Sequence, residues 1–277
     1  MKTYLTKTLD WQTVEVANQY DELPLWSAPF GKLLLDHFPI RAYENYLDVG
    51  CGTGFPLIDI SQRIGSQCKA YGIDPWHAAV QRARTKIETI GLANVEILEE
   101  DASHLPFGDE QFDLVTSNLG INNFENPQEV INECYRVMKP GATFCATTNL
   151  NVTFQEFYDV YEQTLIEQGL MDKYRAPYTA HVTHRGTIQS MRELLEKSGF
   201  NITKQIESSF TMRFLNGSAF LNHSVIIVGF IYPWRSMFDE PDKLPFFERF
   251  EENLNKIAKE KGELKLTIPT AYFECTK

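Results

Sequence analysis

Three glycines on alternate positions, Gly50, Gly52 and Gly54, follow an acid in the run LDVGCGTGFP at 47–56. Glycine lets a backbone come close to a ligand, and a turn of this kind straight after a strand sits where α/β folds bind nucleotides. The spacing departs from both phosphate-binding patterns. The dinucleotide fingerprint GxGxxG requires Gly where Phe55 stands, and no GK[ST] follows, as a P-loop requires. Asp48 sharpens the point. A carboxylate beside a bound pyrophosphate is repelled, whereas beside an ammonium or sulfonium it is attractive. Asp74 ends a second strand, 20 residues after Gly54, where a carboxylate can take both hydroxyls of a ribose. Asp101 ends a third, in EEDASHLPF at 99–107, where an acceptor can meet an exocyclic adenine amine. A nucleoside with a cationic amino-acid tail satisfies all three acids.

Such acids need strands to carry them. Apolar runs at 46–49, 69–74, 94–101 and 112–118 read as strands, and the segments after the first two have helical spacing. The first helix runs from Pro56 to Gly65; the second carries Trp76, Val80, Ala83, Ile87 and Ile90 and stops at Gly91. Asn126 to Glu129 reads as a capping box, and Lys139-Pro140-Gly141 as a stop before a fifth strand at 142–150. This alternation implies a parallel sheet with helices on both faces. After Leu150 the rhythm changes. Thr153 and Glu156 read as another capping box ahead of the stripe Phe154, Tyr158, Tyr161 and Leu165, and a loop with His181 and His184 follows. Then come a helix at 187–198, a strand at 202–214, and a segment, 216–238, that reads as helix broken near Pro233. A last helix carries Phe247, Phe250, Leu254 and Ile257. The closing strand, 263–275, contains Pro269, which argues for a bulge or register change there.

LDVGCGTG, GIDP, EDASHLPF and FDLVTSN…RVMKPGATF, in this order over about residues 44–150, resemble a class I S-adenosylmethionine-dependent methyltransferase of the small-molecule type, similar to the quinone-biosynthesis methyltransferases. The resemblance implies an α/β fold: a Rossmann-like doubly wound sheet of seven strands, the last antiparallel, with a helical cap insertion. The whole chain, 1–277, is then a single methyltransferase domain. It divides into an N-terminal helical lid (1–40), a cofactor-binding core (41–150), a cap insertion (151–186) and a C-terminal part of the sheet (187–277) with a helical substrate segment at 216–245. The cofactor implied is S-adenosylmethionine, with S-adenosylhomocysteine as product. By the same resemblance Asp48, Gly50, Cys51, Gly52 and Gly54 hold the methionine portion. Asp74 holds the ribose, with Pro75 and Trp76 beside the adenine, and Asp101 and Ala102 meet the adenine edge. Asn118, Leu119 and Gly120 lie near the sulfonium, and Tyr20 covers the cofactor.

The bulk composition agrees with a small-molecule enzyme. Of 277 residues 43% are hydrophobic and 13% aromatic, and the formal net charge is −11. An acidic chain repels polyphosphate backbones, so no nucleic-acid partner is expected. The longest apolar run, VIIVGFIYPW at 225–234, is about half of the roughly 20 residues a spanning helix needs, and the N-terminus lacks the apolar centre of a signal peptide. Five cysteines with no CxxC pair suit a reducing interior, so a cytoplasmic protein is expected.

The acceptor is expected to be small and largely apolar. Trp11, Trp26, Phe30, Phe154, Tyr158 and Trp234 are candidate walls, and Asn122 and Asn123, after strand four, are candidate polar contacts. Aligning the reactants and excluding water is the main task in such a transfer; His223 is the candidate base if the acceptor must lose a proton. His181 and His184 have helical metal-ligand spacing but no third partner, so no metal is expected. Two rivals remain: an NAD-dependent oxidoreductase, and a relative that binds S-adenosylmethionine without turning it over.

Overall fold

A computed structural model of the chain describes residues 2–23, 26–183 and 185–277; His184 lies outside them. In chain order the elements begin α1 (Thr3–Thr6), α2 (Val14–Glu22), α3 (Ser27–His37), β1 (Asn45–Val49), α4 (Leu57–Ile64), β2 (Lys69–Ile73) and α5 (His77–Ile90). Next come β3 (Val95–Leu98), β4 (Phe112–Asn118), a single 3-10 turn (Gly120–Asn122), α6 (Pro127–Val137) and β5 (Met138–Asn149). The remainder is α7 (Gln155–Glu167), α8 (Met171–Thr183), α9 (Ile188–Lys197), β6 (Asn201–Phe214), α10 (Gly217–Leu221), α11 (Ser224–Gly229), α12 (Ile231–Ser236), α13 (Glu240–Lys261) and β7 (Leu264–Thr276). The described residues form two compact units. Of these residues, the larger takes those within 10–149, 186–208 and 270–277; the smaller takes those within 2–9, 150–185 and 209–269.

The strands form one sheet in the order β3-β2-β1-β4-β5-β7-β6. β1 to β5 pair in parallel and β7 runs antiparallel to β5, the arrangement expected of a doubly wound sheet with a reversed last strand. The order reverses direction at β1, so β1 and β4 leave the sheet beside each other at the switch point where such folds bind ligands. Burial of β1 and β4 is nearly continuous, as parallel strands covered by helices require. Leu34 of α3 and Phe38 just after it, Leu57 and Ile60 of α4, and Val80, Ala83 and Ile87 of α5 pack with Tyr46, Ala70, Ile97 and Leu114 from the strands.

The smaller unit has an aromatic core. Phe157 of α7 lies 4.1 Å from Trp234 and 5.0 Å from Phe250 between ring centroids, and Tyr161 lies 4.8 Å from Phe246. Buried rings dominate here because each removes a large apolar area from water and edge-to-face pairs add attraction.

Several local readings change. β3 stops at Leu98 rather than running to Asp101, because only Val95–Leu98 has partners on β2. β5 starts at Met138, so Pro140 and Gly141 lie within the strand rather than before it. Helix α8 continues through His181, where a loop was expected. The 216–238 segment breaks at Asn222-His223 and at Phe230, and Pro233 sits in the first turn of α12, where its missing N–H costs nothing. Glu156 makes no capping box: its carboxylate accepts from the N–H and hydroxyl of Thr267 at 3.0 and 2.5 Å. Asn126 occupies an N-cap with Pro127 behind it, but its side chain makes no capping bond. Pairing between β5 and β7 runs from Thr143↔Thr276 to Asn149↔Thr270, so Pro269, with no N–H to give, falls just beyond the ladder.

Candidate functional site

The glycine turn is built from β1 and closed by β2. Gly50, Gly52 and Gly54 all have positive φ (75°, 52° and 95°), which other residues adopt at a cost. The turn's amides are turned inward. Those of Gly50 and Cys51 both donate to the Ile73 carbonyl (2.9 and 3.1 Å), that of Gly54 to the Cys51 carbonyl (2.8 Å), and that of Gly52 to Asp74 Oδ2 (2.8 Å). A phosphate cradle keeps such N–H groups free for the anion; here four are committed within the protein. Phe55, which replaces the third fingerprint glycine, lies against Gly31 of α3, where even a methyl group would collide with its ring. A side chain at Gly50 would crowd Gly120, whereas the space beside Gly52 is open.

Asp48 is 1% exposed. Its Oδ1 accepts the Thr116 hydroxyl at 2.5 Å, and Thr116 pairs with the Tyr46 hydroxyl at 2.8 Å, all on neighbouring β1 and β4. Its Oδ2 has no partner. Burial pushes the carboxyl up to about 7; the Thr116 bond opposes this, the charge of Asp74 adds to it, and the Leu57 amide at the head of α4 relieves it slightly. Desolvation penalises the charged form, and a positive group beside this carboxylate favours its ionisation.

Asp74 follows β2 and accepts two amides, Gly52 through Oδ2 and Trp76 through Oδ1 at 2.9 Å. Burial raises its pKa, and the Trp76 and Gly52 bonds restrain the rise. It ties the glycine turn to the head of α5. Trp76 lies edge-on to Trp11 (5.0 Å) and to Tyr20 of α2 (5.6 Å), and its indole N–H donates to the Trp11 carbonyl. Tyr20 is itself raised by burial first and by the Asp74 charge second. Pro75 is exposed. Asp101 is exposed beyond the end of β3, with Oδ1 accepting the Ser103 amide at 2.7 Å, a bond that holds its carboxyl below the usual range. Ala102 beside it is buried.

At the end of β4, Asn118 Oδ1 accepts the Thr147 hydroxyl at 2.7 Å. Leu119 is left-handed (φ 65°), one of three such non-glycine residues among those described, and its amide reaches the Thr147 carbonyl. Backbone strain of this kind gathers at ligand sites. Asn122 Oδ1 accepts the Thr148 hydroxyl at 2.8 Å, and Asn123 donates to the Leu119 carbonyl. Trp26 and Phe30 stand 5.5 Å apart at the start of α3.

The larger unit thus gathers Tyr20, Asp48, the turn, Asp74 to Trp76, Asp101, Ala102 and Asn118 to Asn123, together with Trp11, Trp26 and Phe30. The smaller unit gathers Phe154, Tyr158 and Trp234. Trp234 Nε1–H donates to the Tyr158 hydroxyl at 3.1 Å, and that hydroxyl lies 2.9 Å from His181 Nε2. His223 is the N-cap of α11: its Nδ1 accepts the Val225 amide at 3.3 Å, its ring meets Phe214, and burial lowers its pKa. Sequence reasoning missed Tyr46 and Thr116, the relay behind Asp48. Tyr46 and Asp48 are two apart on one strand, so they share a face; the cross-strand position of Thr116 carries no local signal.

A family described as a methyltransferase domain matches residues 40–199. A demethylmenaquinone methyltransferase of Geobacillus stearothermophilus is 36% identical over 116 residues, 42% of this chain and 50% of that protein. The chain therefore spans only half the length of that relative. One from Bacillus cereus is 32% identical over 168 residues, 58% of this chain and 71% of the relative. Among solved structures, an S-adenosylmethionine-dependent methyltransferase from Aquifex aeolicus superposes with a TM-score of 0.53 at 20% identity, covering 72% of this chain and 93% of that one. This last likeness is one of fold.

Proposed function

The chain belongs to the class I S-adenosylmethionine-dependent methyltransferases, and from that premise we propose that it transfers a methyl group to a small, apolar or aromatic acceptor by in-line displacement. Bound S-adenosylmethionine supplies an activated methyl on a cationic sulfur. The chain's own residues bind, orient and exclude water. The observation that carries the reading is the buried, unpartnered Oδ2 of Asp48 beside a turn four of whose amides are committed within the protein. That combination suits an ammonium group and offers little to a pyrophosphate, which weighs against the NAD reading.

In this assignment Asp48 takes the ammonium, and the backbone of Gly50, Cys51, Gly52 and Gly54 lines the amino-acid tail. Asp74 uses its remaining lone pairs on the ribose hydroxyls, with Pro75, Trp76 and Tyr20 around the nucleoside. Asp101 and Ala102 meet the adenine edge, and Asn118 to Gly120 lie beside the sulfur. Within the larger unit the candidate acceptor contacts are Trp26, Phe30, Asn122 and Asn123; Phe154, Tyr158 and Trp234 are apolar candidates of the smaller unit taken by itself. We assign a lid to residues 1–40 and a cap to 151–186 and 216–245. The relatives named for demethylmenaquinone support an aromatic acceptor. His223 is the candidate base. With Nδ1 committed to the Val225 amide, the neutral ring carries its proton on Nε2, so it can accept another only by releasing its cap. Replacing His223 by Asn, which keeps an N-cap acceptor, should then slow turnover of a hydroxyl acceptor by about 100-fold or more; unchanged turnover would remove it from the mechanism.

Among the described residues no helix is long and apolar enough to cross a membrane, and the five free cysteines are all buried; both are compatible with the cytoplasmic setting proposed. The direct test is calorimetric titration with S-adenosylhomocysteine and with NAD, followed by detection of S-adenosylhomocysteine released on mixing S-adenosylmethionine with quinol-type acceptors. Binding of NAD with no response to S-adenosylhomocysteine would overturn the reading. Tight cofactor binding with no product from any acceptor would favour the non-catalytic relative.

A further inference from the structure

Among the described residues three buried side-chain polar atoms lack a hydrogen-bond partner: Asp48 Oδ2, Asn18 Oδ1 and Arg185 Nη1. The first two belong to the larger unit, and both are acceptors. An unpaired buried acceptor costs about 1–3 kcal/mol, so folded proteins keep few of them. The proposed function gives Asp48 its reason. Nothing in that assignment explains Asn18.

The placement of Asn18 is informative. It lies on α2 one turn before Asp21, so the two share a side of the helix. Asp21 fixes where that side points. Its Oδ2 accepts from Arg82 Nε at 2.8 Å and its Oδ1 from Lys86 Nζ at 2.6 Å, both on α5. Burial works against the charge of Asp21, yet Lys86, Arg82 and the hydroxyl of Thr53 together hold its carboxyl below the ordinary range. Thr53 is part of the glycine turn, between Gly52 and Gly54, and the space beside Gly52 is open. Tyr20, between Asn18 and Asp21, feels the charge of Asp74. Helix α2 is therefore latched over α5 and the turn, and it carries an unpaired acceptor on the latched side.

We infer that Asn18 is a cofactor-binding residue supplied by α2: its carboxamide oxygen accepts a hydrogen bond from the ammonium of the amino-acid tail, and Asp21 is the latch that positions it. This rests on the S-adenosyl cofactor proposed above. The ammonium has three protons to place, and Asp48 and Asn18 are two acceptors without donors. The unpaired atom that weakens the free fold becomes satisfied when the tail is bound.

The test uses the full chain and two ligands that share a nucleoside, S-adenosylhomocysteine and 5′-methylthioadenosine, of which only the first has an amino-acid tail. Asn18→Leu should weaken S-adenosylhomocysteine about tenfold, the effect of one hydrogen bond to a charged group, and leave 5′-methylthioadenosine within about twofold. The melting temperature without ligand should hold or rise, since the unpaired acceptor is gone. Unchanged affinity for S-adenosylhomocysteine overturns the inference. Equal loss for both ligands overturns it too, because the residue then serves the nucleoside or the lid as a whole. Asn18→Asp keeps the acceptor and should retain binding; a loss equal to that of Asn18→Leu contradicts the role. Asp21→Asn should speed dissociation of S-adenosylhomocysteine several-fold in stopped flow, and an unchanged rate removes the latch. If wild-type protein binds neither ligand, the cofactor reading itself fails, a result distinct from all of these.

Discussion

Asp48→Asn should make the ligand-free protein more stable above pH 7 and at the same time cripple cofactor binding. Both halves follow from one buried carboxyl pushed from 3.8 to about 7. A carboxyl whose pKa is raised on folding holds more protons in the native state than in the unfolded chain between those values. Stability therefore falls as pH rises through that window, and the full penalty applies above about pH 7. The displacement corresponds to about 4 kcal/mol, an upper bound for the gain from the substitution, since the new amide needs a partner of its own. Below about pH 4 the variant and the parent should melt alike. Binding runs the other way. An ammonium beside Asp48 favours its charged form, so wild-type affinity for S-adenosylhomocysteine should rise about tenfold between pH 6 and pH 8 and level off above. The Asp48→Asn protein should bind weakly at every pH, with that slope gone. Thermal melts across pH and calorimetry at pH 6 and 8 read both effects. A variant less stable at pH 8 than its parent, or one that keeps the pH slope in affinity, would show that Asp48 is an ordinary core acid.

The contrast between Asp48 and Asp101 explains how far the sequence could be read. Strand alternation placed both near strand ends, and the parallel order of β1 to β5 followed from their regular spacing along the chain. Burial did not follow. Asp48 is sealed behind Tyr46 and Thr116, whereas Asp101 lies three residues past the end of β3 in an Asx-type turn. The run Glu99-Glu100-Asp101 continues the strand's spacing, but no partner on β2 extends past Ile73 to hold it. In the smaller unit, local signals competed with tertiary ones and lost. Glu156 has the spacing of a capping box, yet Thr267 is a better partner because it offers an amide and a hydroxyl at once. A loop was expected around His181, but Tyr174 and Tyr178 give α8 a buried face that holds the helix together. The break at Phe230 is invisible to hydropathy, since it falls inside the apolar run 225–234, while the one at Asn222-His223 falls in a short polar stretch. They become intelligible once His223 is seen capping α11.

Asp74 should give the largest loss when truncated. It serves the empty and the ligand-bound protein with different lone pairs of the same carboxylate. Without ligand it accepts the amides of Gly52 and Trp76, and a carboxylate has about four acceptor sites, so two remain for a ribose diol. Asp74→Ala deletes all of them. The two orphaned amides should lower stability by about 2 kcal/mol, with the glycine turn and the head of α5 losing their common anchor. Two charge-assisted bonds to the ribose, together worth about 3 kcal/mol, are lost as well, which is about 100-fold in affinity for S-adenosylhomocysteine. Asp74→Asn separates the roles. Its single carbonyl oxygen can replace one of the two backbone acceptors, so about half of the lost stability should return while ribose recognition stays impaired. A 2′-deoxy analogue provides the control: wild type should discriminate against it strongly, and Asp74→Asn only weakly. If Asp74→Asn binds S-adenosylhomocysteine as well as the parent, Asp74 is a structural staple between β2 and the turn, and the ribose must be held elsewhere.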